Sequence, residues 1–170
     1  TTCGYATTDF DLWPETSKMI LVLLMFIGAC AGSTGGGFKI SRLLILCKAI
    51  PKQLSLVIHP REVKVIRMDG KPIDHNTLRS TNVYLAIYFF ILLVSTLLIS
   101  VDNFNLTTNF TAVASTLNNI GPGLDGVGPT RNFGMYSDFS KFVLMFDMLA
   151  GRLELYPLLI LFMPSLWRRK

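Results

Sequence analysis

Apolar runs separated by short polar, glycine-rich or charged segments make up most of the chain. The run 79–101 is long enough to cross a hydrocarbon core of roughly 30 Å, which takes about 20 helical residues. The runs 18–31 and 38–50 are each too short, but together they suffice, so we predict one broken membrane helix. The run 107–117 predicts a re-entrant half-helix, and a last long helix is predicted over 137–166. The expected fold class is therefore an all-α integral membrane protein.

The charges support this class and indicate an orientation. Of all residues 51% are hydrophobic and only 16% are charged. The net charge of +5 would suit a nucleic-acid partner, but nine of the sixteen Lys and Arg residues lie between Lys39 and Arg79, and three end the chain. This asymmetry is typical of polytopic membrane proteins, whose cytoplasmic loops are basic. We expect a multi-pass protein of the plasma (inner) membrane, surrounded by membrane lipid, with the connector 51–78 and the C-terminus in the cytoplasm and no nucleic-acid partner.

The two halves of the chain repeat each other. Gly28 recurs as Gly151, at an offset of 123 positions that also matches several residues ahead of them. The repeating unit is a helix, a short re-entrant helix, a loop and a second helix. One complete copy occupies residues 79–167 and the last part of another occupies 1–49. Because such a repeat cannot enclose a pore alone, further copies are expected upstream.

An isolated glycine marks the loop after each short helix, Gly4 in one copy and Gly121 in the other. Ion filters use the backbone carbonyls of an extended loop to replace the hydration shell of an ion. Glycine takes positive φ without steric cost, which lets successive carbonyls face one axis. The predicted ion-binding residues are Thr2, Cys3, Gly4 and Tyr5 in the first loop and Asn119, Ile120, Gly121 and Pro122 in the second. The alternatives are an ordinary polar loop and a plain Pro-Gly turn.

The broken helix is interrupted by a glycine-rich stretch, residues 28–37, which has two interpretations. Gly28, Gly32 and Gly36 are spaced by four, the pattern of close helix packing in membranes. That pattern does not account for the remaining glycines or for the adjacent hydroxyl residues. We favour a flexible loop that obstructs the pore below the filter. Its predicted gating residues are Ser33, Thr34, Gly35, Gly36 and Gly37.

Arg152 is predicted near the middle of the last helix. A charge at that depth costs about 2.5–3.5 kcal/mol even on the most lenient scale, so it is expected to face the protein interior and to act with the gating loop. Pairing with a neighbouring helix for assembly is the alternative. No Ser-His-Asp, Cys-His or paired-carboxylate arrangement suggests catalysis, so the chain is not expected to be an enzyme.

The stretches TTCGYATTDF, GACAGSTGGGFK, NNIGPGL and LAGRLELYPLL together resemble the ion-conducting membrane subunit of the Trk/Ktr potassium-uptake family, of the Trk type. The resemblance implies four repeats of outer helix, pore helix, filter loop and inner helix. Residues 1–50 would hold the filter loop and broken inner helix of the third repeat, 51–78 the cytoplasmic connector, and 79–170 the fourth repeat. Cys3 departs from the Thr that is more usual at its position.

The same resemblance implies K⁺ as the transported ion, bound at the filter residues, and no covalently bound cofactor. It implies a homodimer that works with a cytoplasmic, nucleotide-binding regulatory ring. The function expected is transmembrane transport of K⁺ through a channel-like pore. A non-conducting assembly subunit whose glycines only pack helices is the alternative. A metal-ion or solute carrier is disfavoured, since no His or acidic cluster lies on the candidate path.

Overall fold

The computed structural model describes residues 2–30, 32–33, 35–59, 65–68 and 70–153. This part of the chain is mainly helical, with five α-helices and one two-stranded hairpin. One of these helices, together with the 3-10 turn that follows it (His75–Asp102), is long and apolar enough to cross a membrane by length and composition.

The first two helices are the halves of the predicted broken helix. Helix α1 spans Glu15–Ile27 and helix α2 spans Ile40–Ile58. Gly28 ends α1 with φ of 69°, a left-handed conformation that costs glycine little. The amide of Ile40 donates a 3.1 Å hydrogen bond to the carbonyl of Ala29. The glycine-rich stretch is therefore a loop whose two ends lie side by side.

Helix α2 is longer than the sequence pattern predicts. The expected end near residue 50 is wrong, because α2 continues through Pro51 to Ile58. A proline inside a helix removes one backbone hydrogen bond without always ending the helix. A short hairpin lies between α2 and α3, with β1 (Arg67–Met68) paired antiparallel to β2 (Lys71–Pro72).

The complete repeat forms the core of the molecule. Helix α3 spans His75–Ile99, α4 spans Leu106–Leu117, and α5 is described over Asp138–Leu153. These elements confirm the predicted helices, with α3 starting four residues earlier than expected. The part of the last helix predicted beyond residue 153 lies outside the described residues.

Helix α4 is the most deeply buried element although its sequence is rich in Thr, Ser and Asn. Two of its hydroxyl groups are satisfied within the helix, as Thr111 and Thr116 donate to the carbonyls four residues earlier at 2.7 and 2.9 Å. A buried hydroxyl group that forms a hydrogen bond avoids most of the free-energy cost of removing a polar side chain from water. By contrast, α3 exposes large apolar side chains such as Phe90 and Leu97 on its outer face. The fold thus places a polar helix inside and an apolar surface outside.

Candidate ion-conduction site

The first loop (residues 2–5) and the second loop (residues 119–122) lie against each other. A methyl group added at Gly4 would lie 2.6 Å from the carbonyl oxygen of Ile120, and one added at Gly121 would lie 3.6 Å from the Cα atom of Gly4. The backbone of Gly4 therefore contacts the backbone of residues 120 and 121 directly. The Ile120 oxygen is directed toward the junction of the two loops.

The two loops also share an unusual backbone conformation. Thr2 and Asn119, which are 117 positions apart, both have φ of 53°. Gly4 and Gly121, at the same offset, have φ of 73° and 113°. A left-handed conformation costs a non-glycine residue roughly 1–2 kcal/mol, so its recurrence at matched positions requires support from the surroundings. The internal repeat thus extends to backbone geometry.

Helix α4 holds the second loop from behind. The amides of Asn119 and Ile120 donate to the carbonyls of Thr116 and Ser115 at 3.0 and 2.9 Å. The hydroxyl of Ser115 donates to the carbonyl of Gly121 at 2.8 Å. That bond directs the Gly121 oxygen toward α4, whereas the Ile120 oxygen faces the first loop.

Asn118 and Asn119 tie the start of the second loop to three elements. The buried hydroxyl of Tyr88 in α3 donates to the side-chain oxygen of Asn118 at 2.9 Å. The side-chain nitrogen of Asn118 donates to the carbonyl of Ala114 at 2.8 Å. The side-chain nitrogen of Asn119 donates to the carbonyl of Met148 in α5 at 3.1 Å. The loop is therefore fixed by α3, α4 and α5 together.

The glycine-rich stretch lies against both loops. A methyl group at Gly37 would overlap the side-chain oxygen of Asn118, and one at Gly36 would lie 2.9 Å from the side-chain nitrogen of Asn119. A methyl group at Gly35 would lie 3.5 Å from the hydroxyl of Thr2. Glycine at positions 36 and 37 therefore lets the stretch approach Asn118 and Asn119 at backbone distance, whereas a methyl group at Gly35 would make only ordinary contact with Thr2.

Other residues of the stretch behave differently. The hydroxyl of Ser33 donates to the carbonyl of Cys30 at 2.7 Å, which closes a local turn. Gly32 has φ of 81°, and no atom of the described residues lies within 4 Å of an added methyl group. Thr34 lies outside the described residues. Gly28, Gly32 and Gly36 share no helix face, because α1 ends at Ile27, so the close-packing interpretation is not favoured.

Helix α5 approaches the end of α4 at Gly151. A methyl group at Gly151 would overlap the carbonyl oxygen of Leu117, the last residue of α4. Arg152 is the next residue and lies in the last described turn of α5. The structure therefore puts Arg152 next to the contact between α5 and the start of the second loop.

A buried carboxyl group on α5 was not among the predicted site residues. Asp147 is fully buried and accepts a 2.7 Å hydrogen bond from the hydroxyl of Ser95 in α3. Its other carboxyl oxygen has no hydrogen-bond partner among the described residues. A buried acid is costly unless it is hydrogen-bonded, so the single bond to Ser95 is important for the contact of α3 with α5.

A second network lies at the start of α4, whereas the glycine-rich stretch contacts the residues just after its end. A carboxylate oxygen of Asp11 accepts from the amide of Asp125 at 3.0 Å. The carboxylate of Asp125 accepts from Asn105 and Thr108, which lie at the start of α4, at 3.3 and 3.0 Å. Asp125 therefore links the segment before α1 to the start of α4.

Two cavities flank the paired loops, with volumes of about 250 and 580 Å³. Thr2, Cys3 and Ile120 line both of them. Across the described ranges, no group of three or more His, Cys, Asp or Glu side chains is placed to hold a metal ion. The oxygen atoms that the paired loops offer are those of the backbone and of hydroxyl and amide groups.

Several contacts could not be found from the sequence. Tyr88, Ser115 and Asp147 look like ordinary members of apolar or small-residue runs. The only signal was the polarity of Asp147 within an apolar helix, which indicates a functional or paired residue.

Comparison with known proteins agrees with this geometry. The TrkH family, described as cation transport protein, matches residues 1–169. The Trk system potassium uptake protein TrkH of Vibrio parahaemolyticus is 39% identical over 168 residues, which are 99% of this chain and 34% of that protein. TrkH of Escherichia coli is 37% identical over the same share of each chain.

A solved structure is also similar. The crystal structure of the potassium transporter TrkH from Vibrio parahaemolyticus has a TM-score of 0.88 to this chain at 39% identity, covering 99% of this chain and 36% of that one. The chain thus spans about a third of the length of the relatives it matches. Since the family match runs over nearly all of its residues, the chain belongs to the TrkH family of cation transport proteins.

Proposed function

We propose that this chain forms part of a membrane pathway for K⁺, with the first and second loops as two sides of an ion filter. The relatives at 37–39% identity are potassium uptake proteins. The observation that carries the proposal is the contact between two loops with matched left-handed residues at the same offset. Backbone oxygens held in fixed positions can replace the water of a dehydrating cation.

Ile120 is the residue whose oxygen is best supported as an ion ligand. It faces the first loop at the level of Gly4. The Gly121 oxygen is engaged by Ser115, so it contributes less to the conduit. Thr2, Cys3, Tyr5, Asn119 and Pro122 complete the proposed filter, and because the backbone oxygen of Cys3 is the ligand, the usual Thr is not required there.

The glycine-rich stretch is proposed as the gate. Gly36 and Gly37 lie so close to Asn119 and Asn118 that an added methyl group would clash with them, and Gly35 lies within contact distance of Thr2. A loop in that place blocks the path to the cytoplasm until it moves aside. Arg152, next to Gly151, adds a positive charge that raises a barrier to cations.

The remaining expectations belong to the same proposal. Residues 1–50 are part of the third repeat and residues 79–170 form the fourth, with the connector 51–78 and the C-terminus in the cytoplasm of a multi-pass protein of the plasma membrane. The full transporter is a homodimer that works with a nucleotide-binding regulatory ring. Two loops are half of a four-loop filter, so conduction requires the other repeats.

The test is the variant Gly4→Ser in the full-length transporter, with K⁺ and Na⁺ flux measured in proteoliposomes. We expect the preference for K⁺ to fall by roughly tenfold or more, since the added side chain displaces the Ile120 oxygen. Gly32→Ser is the matched control, because Gly32 also has positive φ but an added methyl group there would meet none of the described residues. An unchanged K⁺ preference in Gly4→Ser would contradict the filter.

A further inference from the structure

A cavity of about 520 Å³ lies away from the candidate site, between the last turns of α2 and the first turns of α3. None of its lining residues belongs to the two loops or to the glycine-rich stretch. Ile66, buried just before β1, lines one end of it. The ion pathway proposed above does not use this cavity.

The lining combines apolar walls with a cationic rim. Leu56 and Leu78 line it, facing from α2 and from α3. Lys52 and Arg79 also line it, one from each helix, and no Asp or Glu is among its described lining residues. Long basic side chains cover apolar surface with their stems and keep their charged ends at the polar boundary. Such a lining is complementary to an amphipathic anion.

The position of the cavity along α3 limits what this anion is. Arg79 lies at the point where the polar start of α3 gives way to its apolar run, which exposes Val83 and then Phe90. In the orientation that the proposed function assumes, this is the level of the cytoplasmic lipid headgroups. Basic pockets between membrane helices on that side bind anionic headgroups.

We propose that the cavity binds one anionic phospholipid of the cytoplasmic leaflet. Lys52 and Arg79 hold the headgroup phosphate, and Ala49 and Val83, which lie about one helical turn toward the membrane from these two cations, contact an acyl chain. A free phosphate would leave the apolar walls uncovered. An acidic protein surface would not fill a concave cavity. The site rests on the proposed membrane orientation and not on the filter.

The experiment measures lipid binding to the detergent-purified full-length transporter by native mass spectrometry, with phosphatidylglycerol as the probe. We expect affinity to fall about fivefold for Lys52→Gln or Arg79→Gln and roughly 20-fold for both together. Arg67→Gln is the matched control, since Arg67 is an exposed basic residue of the same connector that does not line the cavity. It should leave the affinity unchanged.

Two further arms separate the lipid from other ligands. Ala49→Trp keeps both cations but fills the apolar wall on the membrane side, so it should weaken lipid binding about as much as the double variant. Glycerol 3-phosphate should not displace the lipid. Equal affinity for phosphatidylethanolamine, an equal loss in Arg67→Gln, or displacement by glycerol 3-phosphate would overturn the proposal. Lipid binding is measured without ion flux, so a failed filter experiment leaves this result unaffected, and the converse also holds.

Discussion

Tyr88 and Asn118 are joined by a buried 2.9 Å hydrogen bond that reaches from α3 to the start of the second loop. The same Asn118 oxygen is the atom that excludes a side chain at Gly37. The side chain of Asn118 thus contacts both α3 and the glycine-rich stretch. Asn118 also directly precedes the second loop, which is proposed to select ions. Removing its partner should affect both selectivity and gating.

We therefore expect Tyr88→Phe to lower the K⁺ preference of the full-length transporter and to destabilise it by about 1–3 kcal/mol, because the Asn118 oxygen loses its buried donor. Flux of K⁺ and Na⁺ and thermal unfolding measure the two effects. Tyr136→Phe is the matched control, since Tyr136 donates a buried 3.0 Å hydrogen bond to Asn109 away from the glycine-rich stretch. An equal loss of K⁺ preference in both variants would contradict the role of Asn118.

Gly37 and Gly32 provide a second test, because both have φ of 81°. Gly37→Ala places a methyl group on the Asn118 oxygen, which should push the stretch away from the filter and raise K⁺ flux. Gly32→Ala carries the same backbone strain of about 1 kcal/mol but meets no atom of the described residues, so its flux should stay near wild type. Similar flux in the two variants would show that strain, and not the contact with Asn118, controls the gate.

Ser95 supplies the hydrogen bond that the structure describes for the buried Asp147. Ser95→Ala should reduce the free energy of unfolding by about 1–3 kcal/mol, the cost of leaving a buried polar group without its partner. Thr96→Ala is the neighbouring control, because Thr96 donates only to the carbonyl of Leu92 in its own helix. Thermal unfolding in detergent measures both, and a larger loss in Thr96→Ala would contradict the importance of the α3–α5 contact.

The buried hydroxyl of Tyr136 leads us to expect that the free energy of unfolding decreases at alkaline pH. Burial raises the pKa of its hydroxyl from 10.0 to about 12, and the carboxylate of Asp102 acts in the same direction. A group whose pKa is higher in the folded state stabilises the fold below its unfolded pKa and loses that contribution as pH rises through the folded value. The stability advantage of wild type over Tyr136→Phe should therefore be constant up to about pH 10 and shrink toward pH 12. Thermal unfolding across this range checks it, and an advantage that does not change would exclude titration of Tyr136.

The sequence was sufficient to predict the elements whose signal is local. Run length and hydropathy predicted α3 and the short α4, and the offset of 117 positions paired Gly4 with Gly121, whose backbones adopt left-handed conformations. The end of α2 was not predictable, because Pro51 is a helix breaker by local preference and the helix nevertheless continues.

The hydrogen bonds that support the second loop and the contact of α3 with α5 could not be predicted from sequence for a different reason. The bonds of Tyr88 to Asn118 and of Ser95 to Asp147 join residues 30 and 52 positions apart. Nothing in the composition of an apolar run shows which tyrosine or serine faces a polar partner. Such pairs become visible only when the helices are packed.

The way the glycine-rich stretch leaves and rejoins the broken helix has an evolutionary consequence. Because Ala29 and Ile40 are hydrogen-bonded to each other, insertions or deletions between them need not shift either helix. If the proposed gate is right, the length of this segment can vary between relatives while the residues of the proposed filter stay in place.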